Sequence, residues 1–255
     1  MCEVCGCGDP NKVSIEVHAS LLSGNDREAH HLRSHFVEDG VLALNVMGSP
    51  GSGKTALLEA TARALGGRLR LAAVSGDLAT SLDAERLSRA GVHSRAITTG
   101  SACHLDAAMV HHALHDRALS AAVHDCDVFF IENVGNLVCP AIYDLGQAAN
   151  VVVLSVTEGV DKPLKYPVMF RKADLVIFSK VDLLPHLPGV SVEVLRQNLA
   201  RVMPSARAIE VSATTGAGVS DFIAWLDDLR AKAPASGEPA SGEPRPHGHV
   251  HETGR

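Results

Sequence analysis

The stretch that most constrains the fold is VLALNVMGSPGSGKT (41–55), in which an apolar run leads directly into a glycine-rich segment. Glycines at this spacing let backbone N–H groups turn inward toward an anion, and a following helix adds its N-terminal dipole. The pattern predicts a phosphate-binding loop in which Lys54 contacts the β- and γ-phosphates and Thr55 binds Mg²⁺. A turn without a ligand is the alternative. The other loop residues of the predicted site are Gly48, Ser49, Gly51, Ser52 and Gly53.

The rest of the chain alternates short β-branched runs with helix-length stretches, which predicts an α/β fold. The expected strands are 41–47, 70–75, 95–98, 127–131, 151–156, 174–179 and 208–212. The expected helices are 25–38, 56–65, 104–122, 191–203 and 219–232. We therefore predict a P-loop NTPase with a mostly parallel sheet of about seven strands, helices on both faces and ligands at the carboxyl ends of the strands.

Composition excludes several classes of partner. The formal net charge is -6, and no stretch clusters basic with aromatic residues, so nucleic acid is not expected. The start MCEVCGCGDP lacks the regions of a secretory signal, and no apolar run approaches the ~18 residues that span a bilayer. We expect a cytoplasmic protein without membrane contact, whose six cysteines are metal ligands, catalytic groups or buried thiols rather than a disulfide framework.

The tail repeats ASGEP and contains almost no apolar residues, a composition typical of disorder. The predicted organisation is an N-terminal metal-binding segment and linker (1–24), a P-loop domain with an internal metal site (25–233) and a disordered tail (234–255).

The segment SKVD (179–182) follows a predicted strand and is the candidate for base selection. A carboxylate at Asp182 can accept hydrogen bonds from guanine N1–H and the 2-amino group, whereas adenine would leave it unpaired. Taken alone, a solvated strand-end aspartate is the alternative. The later stretch VSATTGAG (211–218) favours guanine, because its loop can close over the base through backbone N–H groups. Ser179 departs from the Asn of the usual Asn-Lys-x-Asp pattern and loses an amide that ties this loop together. Further nucleotide-binding candidates are Lys180, Ser212 and Ala213.

Between these motifs lies FFIENVGN (129–136), which places Glu132 at a strand end as a Mg²⁺ candidate and Gly135 as a γ-phosphate sensor. Asp77 is a second Mg²⁺ candidate, with a turn or helix-cap role as its alternative. Asn136 stands where a water-orienting glutamine would follow Gly135. We therefore expect slow intrinsic hydrolysis, roughly 10⁻⁴ to 10⁻³ per second, and a single-turnover rate above about one per second would contradict this expectation.

Cys103 and His104 are expected to open a helix at the carboxyl edge of the sheet, with Cys139 in the same loop as Gly135. Thiolates and imidazoles suit Zn²⁺ and Ni²⁺. Helical spacing is expected to place three histidines and Ala108 near the face of His104; the histidines are His111, His112 and His115. The alternative is an inert Cys139 with surface histidines. If the site exists, the shared loop predicts that metal affinity depends on the nucleotide.

The start of the chain crowds three cysteines, Cys2, Cys5 and Cys7, which can converge on one ion without a preformed fold. An α-amino group freed by removal of Met1 would give an N,S set that favours Ni²⁺ or Cu²⁺. Cys126 is expected to be a packing residue. The tail histidines of HGHVH, either weak ligands or incidental, are His247, His249 and His251.

Together these motifs resemble the hydrogenase nickel-incorporation GTPases, the HypB family. The resemblance covers about residues 25–230 and extends to residue 1 in members with the Cys-x-x-Cys-Gly-Cys start. It rests on GSPGSGKT, SGDLATSLDAERL, TGSACHLDAAMV, ENVGNLVCPA, VTEGVDKPLKYP and VSATTGAG, in this order.

The resemblance implies a GTPase that uses GTP/GDP and Mg²⁺, forms a homodimer on GTP binding and binds Ni²⁺ or Zn²⁺. With a second hydrogenase-maturation metallochaperone, it would deliver nickel to the hydrogenase large-subunit precursor. The implied internal ligands are Cys103, His104 and Cys139, and Lys162 or Lys165 would contact the other protomer. The resemblance also assigns nickel to the N-terminal cysteines and the nucleotide to Lys54, Thr55 and Asp182.

Three positions depart from the family pattern. Ser179 replaces Asn, which bears on guanine affinity more than on guanine choice; Val160 stands where many members have Glu; and Ala108 stands where some have a ligating histidine. The long histidine-rich insert of some members is absent, and only HGHVH could replace it.

Three functions remain in competition. The first is a GTP-driven switch that times nickel release. The second is a metal store or sensor in which the nucleotide is only a structural ligand. The third is a urease-type nickel-insertion GTPase, against which the N-terminal cysteines and ENVGNLVCP argue.

Overall fold

The computed structural model describes residues 10–232, and within this range one parallel sheet of seven strands forms the centre of the fold. The strands are β1 (Leu42–Met47), β2 (Leu71–Asp77), β3 (His93–Thr98), β4 (Val128–Glu132), β5 (Ala149–Ser155), β6 (Leu175–Ser179) and β7 (Ala208–Val211). Their order is β3-β2-β4-β1-β5-β6-β7, and every neighbouring pair is parallel. The predicted α/β fold class is confirmed.

Helices cover both faces of the sheet. They are α1 (Pro10–Glu38), α2 (Lys54–Leu65), α3 (Leu82–Arg89), α4 (Ala107–Ala113), α5 (Arg117–His124), α6 (Lys162–Lys165), α7 (Pro167–Arg171), α8 (Val192–Val202) and α9 (Val219–Lys232). Alternate residues of β1 point to opposite faces, so Leu44 and Val46 pack with α2 and α9 while Ala43 packs with α1, α4 and α5. Met47 joins a third apolar cluster with α7 and α8.

Two helix predictions need correction. The helix that precedes the sheet begins at Pro10 rather than at residue 25. The helix expected over 104–122 is two helices, because Asp106 caps α4 by accepting a hydrogen bond from Met109 N and Asp116 caps α5 in the same way. Cys103 and His104 therefore lie in the loop before α4, and the prediction that they open the helix is wrong.

The central position of β1 explains where the motifs meet. It lies between β4 and β5, so the loop after β1 and the residues that end β4 share the carboxyl edge of the sheet. Three short 3-10 helices also lie at or near this edge, at Cys139–Ala141, Val156–Glu158 and Val181–His186. No helix within residues 10–232 is long and apolar enough to cross a membrane.

Part of the predicted organisation falls outside the described residues. Cys2, Cys5 and Cys7 precede them, and His247, His249 and His251 follow them. The division into segments 1–24, 25–233 and 234–255 stays a prediction.

Gly146 allows the loop before β5 to pack against α1. Its φ is +77°, and a Cβ placed there would lie 2.7 Å from the Ala29 carbonyl oxygen. Gly189 has a similar φ of +85°, but open space surrounds its Cβ position.

We expect Gly146→Ala to lower the free energy of unfolding by about 2–4 kcal/mol, because it adds a backbone clash to the φ strain.

Gly189→Ala is the matched control, because it introduces only the φ strain, at about 1 kcal/mol. Urea unfolding followed by circular dichroism measures both variants. Equal losses would contradict the close packing of Gly146 on α1.

Candidate functional site

The loop between β1 and α2 curls around its own lysine. Gly48 has φ +152°, and a Cβ there would lie 2.3 Å from the Val153 carbonyl oxygen. Lys54 is buried, and its Nζ donates to the carbonyl oxygens of Gly48 (3.3 Å) and Ser49 (3.2 Å). Desolvation lowers the pKa of Lys54, while the nearby carboxyl of Glu132 opposes that shift. The result is an ammonium group that a phosphate could draw away from weak carbonyl partners.

Two hydroxyls of this loop are buried without a hydrogen-bond partner. Within the described chain, the Oγ atoms of Ser49 and Ser52 are unpaired, and Ser52 is fully buried. An unpaired buried hydroxyl costs free energy that a ligand can recover. The glycine cradle, the lysine and these hydroxyls therefore fit a bound phosphate chain.

The residues expected to hold Mg²⁺ meet at the carboxyl end of β4. Thr55 Oγ1 donates to Glu132 Oε1 at 2.6 Å, and Ser75 Oγ donates to Glu132 Oε2 at 3.2 Å. Glu132 is 2% exposed, and desolvation raises its pKa against the opposing effects of Thr55 and Lys54. A hydroxyl and a carboxylate in contact beside a phosphate loop match the oxygen ligands of Mg²⁺. Their metal-binding role stays a prediction.

Asp77, the second Mg²⁺ candidate, organises a local turn. Its Oδ1 accepts hydrogen bonds from the N–H groups of Ala79 (2.9 Å) and Thr80 (2.8 Å), and these bonds lower its pKa. Asp77 thus has the turn role that the sequence analysis gave as the alternative to Mg²⁺ binding. The contacts leave a Mg²⁺ role open but do not support it.

The loop predicted to select the base is tied to the phosphate loop by two side chains. Ser179 Oγ donates to the Ser52 carbonyl oxygen at 2.5 Å, and Lys180 Nζ donates to the Gly51 carbonyl oxygen at 2.6 Å. The Ser179 hydroxyl thus supplies a tie of its own where the side-chain amide is missing. Lys180 adopts φ +60°, which turns the chain into the 3-10 helix where Asp182 is half-buried.

The loop after β7 holds its shape through its own hydrogen bonds. Ser212 is fully buried, and its Oγ accepts from Thr215 N at 3.1 Å while its N–H donates to the Ala217 carbonyl oxygen at 2.9 Å. Ala213 packs against the core cluster under α2 and α9. This ordered loop is consistent with the predicted closing of a backbone over the base.

The structure brings Cys103, His104 and Cys139 together. Their ligand atoms all lie within 4.8 Å of one another, and among the described residues no other group of three such ligands does so. The two Sγ atoms are 3.0 Å apart, and Cys103 Sγ lies 3.9 Å from His104 Nδ1. Two thiolates on a tetrahedral ion with ~2.3 Å bonds would be about 3.7 Å apart, so an ion needs only a small opening.

The surroundings act on protonation in opposite senses for metal binding. The hydrogen bond with Cys103 and partial burial raise the pKa of Cys139, so an ion must displace a thiol proton to bind there. Burial lowers the pKa of His104 against Asp106, which favours the neutral imidazole that binds metals. The His104 ring stacks on Tyr143 with centroids 3.9 Å apart, which holds its plane.

The helix histidines do not join this site. His104 lies outside α4, so helical spacing cannot align it with the histidines of that helix or with Ala108. His111 instead pairs with Glu28 and contacts the rings of His31 and His115. The prediction of one imidazole face that includes His104 is wrong.

One short loop connects the phosphate loop to the thiols. Gly135 lies against Pro50, where a Cβ would come within 2.8 Å of the Pro50 backbone. Asn136 N donates to the Gly48 carbonyl oxygen at 3.0 Å, and Asn136 Oδ1 accepts from Val138 N at 2.7 Å. Cys139 follows Val138, so this short loop joins the phosphate loop to a thiol through the backbone.

Asn133 makes a second connection. Its Oδ1 accepts from Leu105 N at 3.0 Å, directly after His104, and its Nδ2 donates to Asn45 Oδ1 at 3.2 Å. Asn45 in turn donates to Asn150 Oδ1 at 3.1 Å. The side chain next to Glu132 thus holds the backbone of the Cys103–His104 loop.

Sequence reasoning missed four contributors to the site. Asn133 and Tyr143 act through contacts between distant segments, which no local pattern encodes. Ser75 follows the same strand alternation as Glu132 on its neighbour, and that register could have found it. Glu158 has a buried Oε2 without a partner and an electrostatic interaction with Lys54.

Cys126 is confirmed as a packing residue. It is 5% exposed within the apolar cluster of α1, α4 and α5. Desolvation raises the pKa of its thiol to about 12, so it is neither a ligand nor a nucleophile at neutral pH.

Comparisons with known proteins agree with this geometry. A family model described as CobW/HypB/UreG, nucleotide-binding domain, matches residues 42–210. The hydrogenase maturation factor HypB of Rhizobium leguminosarum bv. viciae is 51% identical, covering 86% of this chain and 71% of its own. The hydrogenase/urease maturation factor HypB of Helicobacter hepaticus is 45% identical, covering 87% of this chain and 90% of its own. A crystal structure of HypB from Helicobacter pylori in complex with nickel matches with a TM-score of 0.78 at 39% identity, covering 85% of this chain and 99% of that one.

The Ser179 tie generates a test of the base-binding loop. Ser179→Ala removes the hydrogen bond to the Ser52 carbonyl and leaves that group unpaired, so we expect GDP to bind about five- to tenfold more weakly. Fluorescent GDP titration measures the change. Ser191→Ala, which removes the hydroxyl that caps α8, is the control and should leave GDP affinity unchanged. Wild-type affinity in Ser179→Ala would refute the tie.

Proposed function

This chain belongs to the HypB family of hydrogenase maturation factors, and from that premise we propose that it is a GTP-hydrolysing nickel metallochaperone. In this proposal the nucleotide state sets how tightly Cys103, His104 and Cys139 hold the metal. Nickel is the cargo, and its destination is the precursor of the hydrogenase large subunit.

The observation that carries the proposal is the loop from Glu132 to Cys139. Its first residue contacts Thr55 of the phosphate loop, its middle contacts Gly48 and Pro50, and its last residue lies 3.0 Å from Cys103 Sγ. A γ-phosphate bound beside Gly135 would change the contacts at the phosphate-loop end of this segment, and the other end carries Cys139. Differential contact of this kind is what nucleotide-dependent metal affinity requires.

In the GTP-bound state, Lys54 would leave its two carbonyl partners for the β- and γ-phosphates. Thr55 and Glu132 would hold Mg²⁺, which would supply positive charge to offset that of the phosphates. Asp182 would accept from guanine while Ser179 and Lys180 hold its loop. The hydrolytic rate is expected to be slow, because Asn136 uses its N–H and side-chain oxygen within the loop and does not replace a water-orienting glutamine.

The donor set supports Ni²⁺ or Zn²⁺ as the ion. Two thiols and an imidazole are borderline-to-soft ligands, which hard ions such as Mg²⁺ do not prefer. The nickel complex of the Helicobacter pylori relative supports nickel for this family. Three ligands leave at least one position open, through which an ion could pass to a partner.

The nucleotide-dependent dimer is also part of the proposal. Four exposed apolar side chains lie in the segment around Cys139 and on the two short helices after β5. We call them the apolar rim: Val138, Ile142, Leu164 and Val168. Beside them, Lys165 Nζ pairs with Asp161 at 2.6 Å and Lys162 lies 5.2 Å from the centre of the Tyr166 ring. A second copy that covers the rim would bring these lysines near the partner protomer.

The wider setting follows from this function. Cys2, Cys5 and Cys7 would form a nickel site of their own, and a second metallochaperone would share the cargo. Metal transfer needs thiolates rather than a disulfide at Cys103 and Cys139, so the proposed function requires a reducing, cytoplasmic location. No nucleic-acid or membrane partner is required.

The name of one relative indicates a second protein that could receive the nickel. The Helicobacter hepaticus relative carries the name hydrogenase/urease maturation factor, so urease is the alternative recipient of the nickel. A metal store in which nucleotide is a structural ligand is the remaining competitor, and it predicts no coupling between the two sites.

The decisive measurement is the Ni²⁺ affinity of the full chain with GDP or a non-hydrolysable GTP analogue. Cys2, Cys5 and Cys7 are replaced by serine to silence the N-terminal site. We expect the affinities to differ by tenfold or more, a coupling of at least ~1.4 kcal/mol, and Cys103→Ala and Cys139→Ala to abolish the coupled binding. Equal affinities with both nucleotides would refute the switch and favour the store.

Asn133 offers a sharper version of the same measurement. Asn133→Ala removes the bond to Leu105 N and is expected to reduce the ratio of affinities toward one. Asn45→Ala breaks the same buried amide network but leaves the bond to Leu105 intact, so it controls for lost stability and should preserve the ratio.

The apolar rim makes a separate prediction about assembly. Leu164→Asp places a charge in the proposed interface, so we expect dimer formation with the GTP analogue to weaken at least tenfold in sedimentation velocity, with GTP affinity unchanged. Leu82→Asp on α3 is the control, since Leu82 is another exposed leucine outside the rim. A Leu164→Asp protein that dimerises like wild type would exclude the rim as the interface.

A further inference from the structure

A cluster of histidines lies on the surface where α1 packs against α4. Helix α1 contributes His31 and His35, and the α4 segment contributes His111 and His115, with Glu28 beside them. The rings form a continuous series, with centroids 4.4 Å apart for His35–His31, 5.3 Å for His31–His111 and 5.1 Å for His111–His115. We call these five residues the imidazole cluster.

Core packing, rather than chance surface orientation, brings the two helices' histidines together. Ala29, Leu32 and Phe36 of α1 and Ala107 and Val110 of α4 are buried in one apolar cluster beneath them. Asn25 Oδ1 also accepts from Ala107 N at 2.9 Å, which fixes the start of α4 against α1. The relative placement of the two pairs is therefore part of the fold.

The first pair already has the spacing of two ligands on one ion. His31 Nε2 and His35 Nε2 are 3.2 Å apart, on successive turns of α1. Two nitrogens bound to a tetrahedral ion at ~2.0–2.1 Å lie about 3.3 Å apart. The two nitrogens, which share a hydrogen bond, are thus already as close as two ligands of one ion.

Glu28 prepares the third ligand. Its carboxylate pairs with Nδ1 of His111, which selects the tautomer whose Nε2 lone pair is free for a metal. A carboxylate that orients a histidine in this way is a recurrent outer partner of metal sites. His111 is about one-third exposed, and its ring must shift together with the Glu28 carboxylate toward the His31–His35 pair for the three nitrogens to surround one ion.

The surroundings leave room for an ion and its water ligands. A cleft of about 650 Å³ adjoins the cluster and is lined by His35, His111 and His115 together with Asp39 and His124. His124 Nδ1 pairs with Asp39 Oδ1 at 2.8 Å, so its charge is compensated locally. Among the described residues that line this cleft there is no lysine, and Arg117 is the one permanently charged cation.

We propose that the imidazole cluster is a further binding site for a divalent transition-metal ion of the Zn²⁺ and Ni²⁺ class, separate from the thiol site. His31, His35 and His111 provide three ligands, and Glu28 orients His111. The fourth ligand is either water or His115. The site has nitrogen donors only, so it holds an ion more loosely than thiolates do and suits acquisition of the ion rather than long retention.

The test uses the full chain, metal-free and reduced, titrated with Ni²⁺ and with Zn²⁺ in equilibrium dialysis. We expect His31→Ala/His35→Ala and, separately, His111→Ala/His115→Ala each to bind about one ion fewer than wild type, and the quadruple variant to lose no more than either pair. His93→Ala/His186→Ala, which removes two exposed histidines outside the cluster, should keep the wild-type number.

A second measurement avoids substitution altogether. Imidazole ¹⁵N spectra of the wild type should show the Nε2 signals of His31, His35 and His111 shifting together with Zn²⁺, while His93 does not. Unchanged stoichiometry in both pair variants, or shifts confined to His31 and His35, would overturn the two-helix site. Glu28→Gln should weaken Zn²⁺ binding at this site several-fold, and unchanged affinity would refute the orienting role of Glu28.

These outcomes are independent of the proposed switch. The cluster's binding is measured without nucleotide, and its loss would leave the nucleotide-dependent affinity of Cys103 and Cys139 in place. Failure of the coupling experiment would likewise leave the imidazole cluster intact.

Discussion

The contact between Thr55 and Glu132 is the constraint on which the rest of the site depends. It joins the first turn of α2 to the last residue of β4, and both groups are buried. Burial raises the pKa of Glu132 and lowers that of Lys54, so each group's charged form depends on the other and on a ligand. Burying Glu132 and Lys54 together with two unpaired serine hydroxyls costs free energy, which bound phosphate and Mg²⁺ would recover. These buried groups lie at the end of β4, where the loop that leads to Cys139 begins.

Much of the fold could be predicted from the sequence because parallel strands buried on both faces are short, continuous and β-branched. Each of the seven expected strands exists, and the largest error at a strand boundary is two residues. The helix over 104–122 was wrong for a local reason: Asp106 and Asp116 are capping residues that the apolar pattern around them conceals. Helix α1 was placed too late because apolar residues of its first half, such as Val13, Ile15 and Val17, alternate with polar ones, a spacing that does not indicate a helix.

The site was predictable in composition but not in its connections. Cys103, His104 and Cys139 could be grouped because two of them are adjacent and all follow strand ends at one sheet edge. Asn133, by contrast, matters through Leu105 N, a contact across 28 positions in the chain. The role of Ser179, which stands where the usual pattern has Asn, could not be predicted either. Only the structure reveals that its hydroxyl reaches the Ser52 carbonyl.

The two connections between the phosphate loop and the thiols use different parts of the chain. The Gly135–Asn136 path runs along the backbone from the phosphate loop to Cys139, whereas Asn133 acts through a side chain on the loop that carries Cys103 and His104. A displacement of the β4 end therefore moves the two thiols through separate elements, and the Sγ–Sγ separation changes unless both move alike. Because binding linkage is reciprocal, a metal ion that fixes this separation must in turn alter nucleotide affinity by the same factor. In the proposed switch, nickel and nucleotide would each alter the affinity of the other, and release of nickel at a defined destination would use that reciprocity.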